Sequence, residues 1–367
     1  MTLLADGRPV KAHVTPWWWG FTLALVLPLS LFGFLVTGPH GIEAVCLWLL
    51  PVPCLIALDC LSGPERRQVS SGYAEPFLSV ILGLIALLAP LNILALGVFV
   101  AQLPVAFVAE DWWVTGLDLL ALRMLGGTTL CCSVIAPAHE LMHRRPRWVR
   151  RVARGLLILV FSDVFYFAHG GGHHRHLGRS QDPSTARLGE TYPEFFKRSL
   201  MTQWQQAFRL HPKAFRRGLL MQALLLLAFG LAFGWGAALV WLYLSWVAIR
   251  LLEAVNYFQH YGLTAESALG HHTAWRCDGA VSYFLFLGLT RHADHHRRPM
   301  APFLELASED DGPELPTGYL GTAVWVKNHS RSYGRFARER LRTLVSQSEE
   351  VVMGSELSRA NTAKGQS

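Results

Sequence analysis

Charged side chains are scarce in this sequence. Asp, Glu, Lys and Arg make up 16% of its 367 residues, whereas a soluble domain carries about a quarter. The apolar residues, 51% of the chain, are concentrated in long runs. The formal charge is +7, but the arginines cluster beside those runs, as a cytoplasmic membrane flank requires, rather than on a soluble basic face. The composition therefore favours a membrane protein and argues against a nucleic-acid partner.

Paired cysteines are also missing. The six cysteines form no C-x-x-C pair, which excludes a rubredoxin-type iron site and a thioredoxin motif within the chain. Most of them lie in or beside apolar runs, so we expect reduced thiols that pack as small apolar side chains. The sequence also has no Gly-rich phosphate loop and no internal repeat.

Six apolar runs are long enough to cross a membrane, which takes about 20 residues in a helix. They lie at 17–37, 43–62, 76–100, 112–136, 218–234 and 235–257. The first run begins with three consecutive tryptophans, and tryptophan is favoured at the level of the lipid headgroups. The sequence therefore predicts an all-α fold, a bundle of six transmembrane helices that belongs to a membrane lipid environment.

Two shorter apolar stretches, 155–168 and 279–290, are typical of buried or interfacial helices. We expect them to belong to a helical cap on one end of the bundle. Together the spans and the cap form one predicted membrane-embedded domain over 1–345. The remaining segment, 346–367, is polar and rich in Ser, Glu and Lys, and we expect it to be disordered.

The basic residues predict the orientation of the bundle. Lys and Arg precede the first run and follow the second and fourth runs, whereas the connection after the third run is acidic. Positive residues remain on the cytoplasmic side, so we expect both termini and the cap to face the cytoplasm, in a bacterial-type inner (cell) membrane. The basic residues are Arg8, Lys11, Arg66, Arg67 and six arginines between 144 and 154, and the acidic ones are Glu110 and Asp111.

The histidines form four clusters, each beside an apolar segment on the predicted cytoplasmic side. Nine imidazoles would therefore gather near one face of the membrane. Nine ligands exceed the capacity of one ion, since zinc takes three or four, and they fit two ions with open positions left for O2. Imidazole suits iron, zinc, copper and nickel, so ligand type alone does not name the metal. The clusters are His139 with His143, His169 with His173 and His174, His260, and His292 with His295 and His296.

The first cluster has a second interpretation. Two histidines at i and i+4 lie on one face of a helix, and His139-Glu-Leu-Met-His143 matches the H-E-x-x-H signature of zinc metalloproteases, in which Glu140 would be the base. An intramembrane zinc protease with Asp278-Gly279 as a remote ligand segment is therefore an alternative, although it leaves seven histidines without a role. A membrane receptor or transporter that binds metal without catalysis is another alternative.

The motifs taken in order resemble a known family. They are His139-Glu-Leu-Met-His143-Arg, Gly172-His173-His174, Asp182-Pro-Ser-Thr-Ala-Arg-Leu-Gly-Glu190, Asn256-Tyr-Phe-Gln-His-Tyr-Gly-Leu263, Arg291-His-Ala-Asp-His-His296 and Leu315-Pro-Thr-Gly-Tyr319. Between about residues 57 and 319 the chain resembles the integral-membrane alkane hydroxylases and the hydroxylase components of xylene monooxygenase. Several motifs in the right order are specific, unlike H-E-x-x-H alone.

The resemblance implies six membrane helices, a cytoplasmic cap and two Fe ions. It implies electrons from a separate rubredoxin or ferredoxin and its reductase, with O2 and a hydrophobic small molecule as substrates. The ligands it implies are His139, His143, His169, His173, His174, His260, His292, His295 and His296.

Two positions depart from the alkane hydroxylase pattern, which usually has Glu before the first histidine of the second cluster and before the histidine of the Tyr-Gly motif. Here these residues are Ala168 and Gln259, and both changes resemble the xylene-type branch, while other blocks resemble the alkane branch. The sequence therefore leaves the substrate open between an alkane and an alkyl-aromatic compound. A fatty-acid desaturase or decarboxylase with the same site remains an alternative reaction.

Metal-bound imidazoles usually donate their second N–H to a carboxylate, a carbonyl or water. Asp294, which lies between ligands, and Glu140 are the acids most favoured for this supporting role, and Arg291 is the rival partner of Asp294. Further candidates are Asp182, Glu190 and Glu253; Glu253 has an ion pair with Arg250 as its alternative.

Overall fold

The computed structural model describes residues 17–68, 71–109, 112–269, 271–308 and 311–364. Within these ranges the regular structure is helical, and the β-type pairing consists of two isolated bridges. Arg8, Lys11, Glu110 and Asp111, on which part of the predicted orientation rests, lie outside the described residues.

Six helices of the described chain are long and apolar enough to cross a membrane, as the hydropathy predicts, and the chain is a multi-pass membrane protein. They contain each of the six predicted runs to within a few residues at the ends. These helices are α1 (Trp18–Thr37), α2 (Ile42–Leu61), α3 (Ser71–Ala109, with the apolar span Ala74–Pro104), α4 (Trp112–Met142), α8 (Pro212–Phe233) and α9 (Trp235–Gln259).

The cap contains several short helices and one long helix. They are α5 (Arg147–Leu159), α6 (Asp163–Ala168), α7 (Tyr192–Leu210), α10 (Ala280–Leu285), α11 (His292–Arg297) and α12 (Tyr319–Lys364). Helix α12 is interrupted at His329, whose φ of −140° is not helical. It runs to Lys364 and so extends beyond residue 345, where the composition predicts the start of a disordered tail.

Helix α4 is the centre of the bundle. In the most apolar stretch of α4, 72% of the residues are buried, against 22% in α2 and 28% in α8. Helices α2 and α8 therefore leave most of their apolar side chains on the outer surface. Two adjacent glycines let α4 approach α9 closely, because a Cβ on Gly127 would lie 2.3 Å from Val247 Cγ1 and one on Gly126 would lie 2.8 Å from Leu244 Cδ1. Small residues permit this packing in membranes, and it brings the ends of α4 and α9 together.

A buried carboxylate at the end of α2 fixes the cap to the bundle. Asp59 accepts hydrogen bonds from Ser282 Oγ at 2.5 Å, Leu320 N at 2.8 Å and Gly321 N at 3.3 Å. These donors lie in α10 and at the start of α12, and the close approach requires glycine at position 318, where a Cβ would lie 2.0 Å from Asp59 Oδ1. One side chain thus ties two cap helices to a membrane helix.

Candidate metal centre

The first two histidines of the site stand at the end of the central helix. His139 is buried in the last turn of α4, and His143 is the residue that caps this helix. Before His139 the helix widens into a π-helical segment, Cys131–Ile135. Such segments are rare and often occur at functional sites. Here the segment changes the rotation of the last turn and so sets the direction in which His139 points.

The second cluster also lies on a π-helical segment, His169–His173, which follows α6. Three glycines separate its histidines, and at Gly172 a Cβ would lie 2.0 Å from Gln206 Oε1 of α7. Because these glycines have no side chains, α7 can pack against the segment. His169 and His173 turn inward and are buried.

The remaining ligand candidates lie at the end of α9 and on α11. His260 caps α9 and is fully buried. His292 and His295 are buried on α11, a helix of six residues, and His296 is partly exposed at its end. Histidines at i, i+3 and i+4 lie on one face of a helix, so α11 presents three rings together.

The structure brings all nine predicted histidines together in two groups. Within each group the nearest ring nitrogens all lie within 4.8 Å of one another. The five-histidine group contains His139, His143, His169, His174 and His295, and the four-histidine group contains His173, His260, His292 and His296.

The ring nitrogens converge at the spacing of ligands around a metal ion. In the five-histidine group, Nε2 of His169 lies 2.6 Å from that of His139, 2.8 Å from that of His174 and 3.2 Å from that of His143. In the other group, Nε2 of His296 lies 3.0 Å from that of His292 and 3.2 Å from that of His173. Two imidazole ligands at right angles and about 2.1 Å from one ion are about 3.0 Å apart, so both groups fit a metal.

Two rings are oriented so that Nε2 is left free to bind a metal. His260 donates from Nδ1 to the Thr273 carbonyl at 2.8 Å, and its buried Nε2 has no hydrogen-bond partner among the described residues. His173 Nδ1 donates to Asp182 Oδ1 at 2.9 Å. An outer hydrogen bond of this kind fixes the tautomer of a metal-binding histidine. The orphaned nitrogen of His260 is the feature that a bound ion would satisfy.

Burial favours the neutral form of most of these imidazoles, the form in which histidine binds a metal. Removal from water lowers the pKa of His143 to about 4, that of His260 to about 3 and that of His174 to about 2. The pKa values of the other histidines outside the spans that show a shift, His169, His292, His295 and His296, are lowered by burial and by neighbouring imidazoles. At neutral pH these seven rings therefore present lone pairs rather than positive charges.

Asp182 is the acid that supports the site. Burial alone would raise the pKa of this carboxyl, but the His173 imidazole and its hydrogen bond outweigh burial and lower the pKa to about 2. Asp182 also accepts bonds from Ser184 N at 2.9 Å, Thr185 Oγ1 at 2.6 Å and Gly178 N at 3.2 Å. It therefore holds both the ring of His173 and the loop that follows the second cluster.

The two acids favoured from sequence have other partners. Glu140 is buried and pairs with Arg144. Asp294 pairs with Arg298 and accepts from Ala307 N at 2.8 Å, whereas Arg291 donates to the backbone carbonyls of other residues. On their helices both carboxylates point away from the neighbouring histidine rings, so neither is hydrogen-bonded to a ring in the described part of the chain.

The remaining acidic candidates also lie outside the histidine groups. Glu190 binds Arg198 at 2.7 Å. Glu253 accepts from Ser199 and Gln203, each at 2.7 Å, instead of pairing with Arg250. Asp278, the proposed third ligand of a zinc protease, binds Arg66 at 2.9 Å and Ser308 at 2.6 Å. It belongs to neither histidine group, which argues against the protease interpretation.

An apolar cavity lies beside both groups, inside the bundle. His139, His169 and His292 form its metal-side wall. The rest of its lining comes from α4, α6, α9 and the segment after α10, and includes Ile135, Phe165, Leu252, Val255 and Leu289. The cavity is narrow, about 30 Å³. Gln259 also lines it and donates to Tyr319 Oη at 2.7 Å. No sequence motif predicts this cavity, because its walls come from four separate segments.

Comparison with known proteins agrees with this arrangement. The sequence profile of the fatty acid desaturase family matches residues 110–321, which is more than half of the chain. The chain belongs to the fatty acid desaturase family. The matched segment of this family contains all nine histidines of the two groups, as well as Asp182 and the helices α4, α8 and α9.

Curated proteins of this family type resemble the chain as its motifs predict. It is 30% identical over 251 residues to alkane 1-monooxygenase 1 of Pseudomonas aeruginosa, an alignment that covers 63% of either protein. It is 27% identical to alkane 1-monooxygenase 2 of the same organism, over 84% of this chain and 87% of the relative. The xylene/toluene monooxygenase hydroxylase component of Pseudomonas putida is 28% identical over 82% of both chains. The chain thus spans less than two thirds of the first relative and most of the other two.

Proposed function

We propose that this chain is a membrane di-iron monooxygenase that hydroxylates a C–H bond of a hydrophobic substrate with O2. The observation that carries the proposal is the convergence of nine imidazoles beside an apolar cavity within a membrane bundle. The names of the relatives, alkane 1-monooxygenases and a xylene/toluene monooxygenase component, support the same reaction class.

The proposed site holds two irons, one in each histidine group. Iron bound there would supply the activation of O2 that an unactivated C–H bond requires, since acid–base and nucleophilic groups cannot open such a bond. The protein would position the ions and exclude water from them. His173 is held by Asp182 and His260 by the Thr273 carbonyl.

The overall reaction consumes two electrons and two protons. One C–H bond of the substrate breaks and a C–O bond forms with one oxygen atom of O2, while the other oxygen atom leaves as water. The 367 residues contain no C-x-x-C motif that could hold a rubredoxin-type iron, which agrees with a separate electron carrier. We propose a rubredoxin or ferredoxin with its reductase.

The proposed substrate is an alkane or an alkyl-aromatic compound, hydroxylated at a terminal or benzylic methyl group. The apolar lining of the cavity supports this class, because its space of about 30 Å³ next to His139, His169 and His292 has room for one methyl-sized group and offers few polar contacts. A substrate of this kind partitions into the bilayer. We further propose that the protein lies in a bacterial-type inner membrane with its histidine groups and both termini on the cytoplasmic side.

The central test is product analysis with isotopic oxygen. We expect the purified protein to contain about two irons per chain and, with an acidic rubredoxin, its reductase and 18O2, to convert n-alkanes or methylated aromatics into alcohols that carry one 18O atom. An alkene without incorporated oxygen would instead identify a desaturase. One zinc and no iron per chain would favour a protease, and a lack of O2 consumption with every hydrocarbon would favour a metal-binding receptor or transporter.

Substitution of Val255 should change the substrate length that the cavity accepts. Phe at this position would fill part of the narrow space beside Leu252 and Ile135, whereas Ala would enlarge it. One methylene in a fitted pocket changes kcat/KM by about 10- to 200-fold. We therefore expect V255F to reduce kcat/KM by at least about tenfold for long substrates and by less for short ones. V255A should instead favour long substrates over short ones.

The matched control for Val255 is Leu239→Phe, because Leu239 lies on the same helix with its side chain 66% exposed on the outer surface. It should leave the profile of kcat/KM against chain length unchanged. If V255F reduced activity equally for hexane- and hexadecane-length alkanes while retaining its iron, the cavity would not be the substrate site.

A further inference from the structure

A second, larger groove lies on the outside of the bundle, between α3 and α5. Its volume is about 860 Å³, and it is separate from the cavity beside the histidines, with which it shares no lining residue. One wall is formed by Leu82, Gly83 and Ala86 of the membrane span, and the opposite wall by Trp148 and Val152 of α5. The groove therefore begins at the membrane face of α3 and ends at the cap.

The apolar part of this groove has the shape of a site for a hydrocarbon chain. From Ser79 to Ala86 its α3 wall extends over about 10 Å, at 1.5 Å per helical residue. Trp148 is 68% exposed at its rim, and tryptophan is favoured at the level of the headgroups. A Cβ on Gly83 would meet no other atom within 4 Å, so a side chain there would project into open space.

The other end of the groove carries charges of both signs. Arg144 and Arg145 face the carboxylates of Glu75 and Glu305, so the lining charges balance. Arg144 is already paired with Glu75 and Glu140, whereas the exposed Arg145 side chain has no partner among the described residues. A guanidinium binds phosphate well, and a carboxylate binds an ammonium group. A headgroup that carries phosphate and ammonium therefore complements this end better than one with a net negative charge.

We propose that this groove binds one phosphatidylethanolamine molecule, with its phosphate on Arg145, its ammonium group near Glu305 and one acyl chain along Gly83. The lipid would pack against Met300, Ala301 and Pro302, which also line the groove. The next residue, Phe303, has its ring 5.6 Å from that of His139 and 5.7 Å from that of His295. The lipid would therefore lie next to a residue that packs against the histidines.

The test measures lipid that stays bound to the purified full-length protein. The wild-type chain is exchanged into mild detergent with equal amounts of phosphatidylethanolamine, phosphatidylcholine and phosphatidylglycerol, and the bound lipid is quantified by native mass spectrometry. We expect about one phosphatidylethanolamine per chain. Gly83→Leu fills the groove with an apolar side chain, so it should reduce the bound lipid by about tenfold or more. The variant should still fold, because leucine has a higher helix propensity than glycine.

Gly116→Leu is the matched control, because Gly116 is also an exposed glycine of a membrane helix with no atom within 4 Å of its Cβ. It should keep the lipid. Arg145→Glu should reduce binding by about tenfold, whereas Arg151→Glu, which makes the same change of charge on the other side of α5, should not. Iron content should stay at the wild-type value in all four variants, which separates this proposal from that of the metal site.

Three outcomes would overturn the lipid site. One is a folded Gly83→Leu protein that retains as much phosphatidylethanolamine as the Gly116→Leu protein. Another is equal binding by the Arg145→Glu and Arg151→Glu proteins. The third is preferential binding of phosphatidylglycerol or phosphatidylcholine by the wild type. If Gly83→Leu did not fold, the comparison of the two arginine variants would still show whether the groove binds the lipid.

Discussion

Replacing His174 or His296 by alanine is expected to abolish hydroxylation and to lower the bound iron from about two toward one per chain. His174 belongs to the five-histidine group and His296 to the four-histidine group, so each substitution removes one ligand from a different proposed ion. Loss of a residue that merely orients a ligand costs about 10- to 100-fold in metal affinity or activity, so the loss of a ligand should cost more. Iron quantification and alcohol formation measure the two effects.

His329→Ala is the control for these variants. His329 is exposed at the interruption of α12 and belongs to neither group, so its removal should change neither iron content nor rate. If His296→Ala retained full activity, the ligand assignment would be wrong. If both alanine variants lost activity but kept two irons, the histidines would act on the substrate rather than on the metal.

The membrane helices follow from the sequence because hydropathy is a local property. A helix in lipid must satisfy its backbone internally and carry apolar side chains along its whole length, so six runs predict six helices whatever their packing. The identity of the nine histidines also follows from local motifs. Their division into two groups does not, because the five-histidine group combines residues that are far apart in the sequence, such as His139 and His295.

The supporting acids illustrate what sequence proximity cannot give. Glu140 and Asp294 lie beside ligands in the chain, but neighbours on a helix point about 100° apart. Their carboxylates consequently meet Arg144 and Arg298 instead of imidazoles. Asp182 is nine residues from His173 and reaches it through a loop.

No sequence pattern predicts the two π-helical segments. Cys131–Ile135 precedes His139, and His169–His173 contains two ligand candidates. An extra residue in a helical turn rotates everything that follows, so ordinary helical spacing misplaces the rings. Both segments are stabilised by packing against other helices, which becomes evident only in the folded bundle.

Asp182→Ala is expected to weaken iron binding by about 10- to 100-fold, because the His173 ring loses the acceptor that fixes its tautomer. The effect should be confined to the ion of the four-histidine group, to which His173 belongs. Chelator competition should therefore show one tight and one weakened site. Asp182→Asn should fall between wild type and Asp182→Ala, since it retains one oxygen but presents an N–H group to a ring that needs an acceptor.

The loop that Asp182 also holds provides the control. Thr185→Val removes the hydroxyl that donates to Asp182 Oδ2 but leaves the bonds between Asp182 and His173 intact. It should lower the stability of the metal-free protein by about 1–3 kcal/mol with little change in iron affinity. Equal loss of iron affinity in Thr185→Val and Asp182→Ala would mean that the loop, rather than the carboxylate on His173, maintains the site. Iron binding by Asp182→Ala at wild-type affinity would mean that His173 needs no such support.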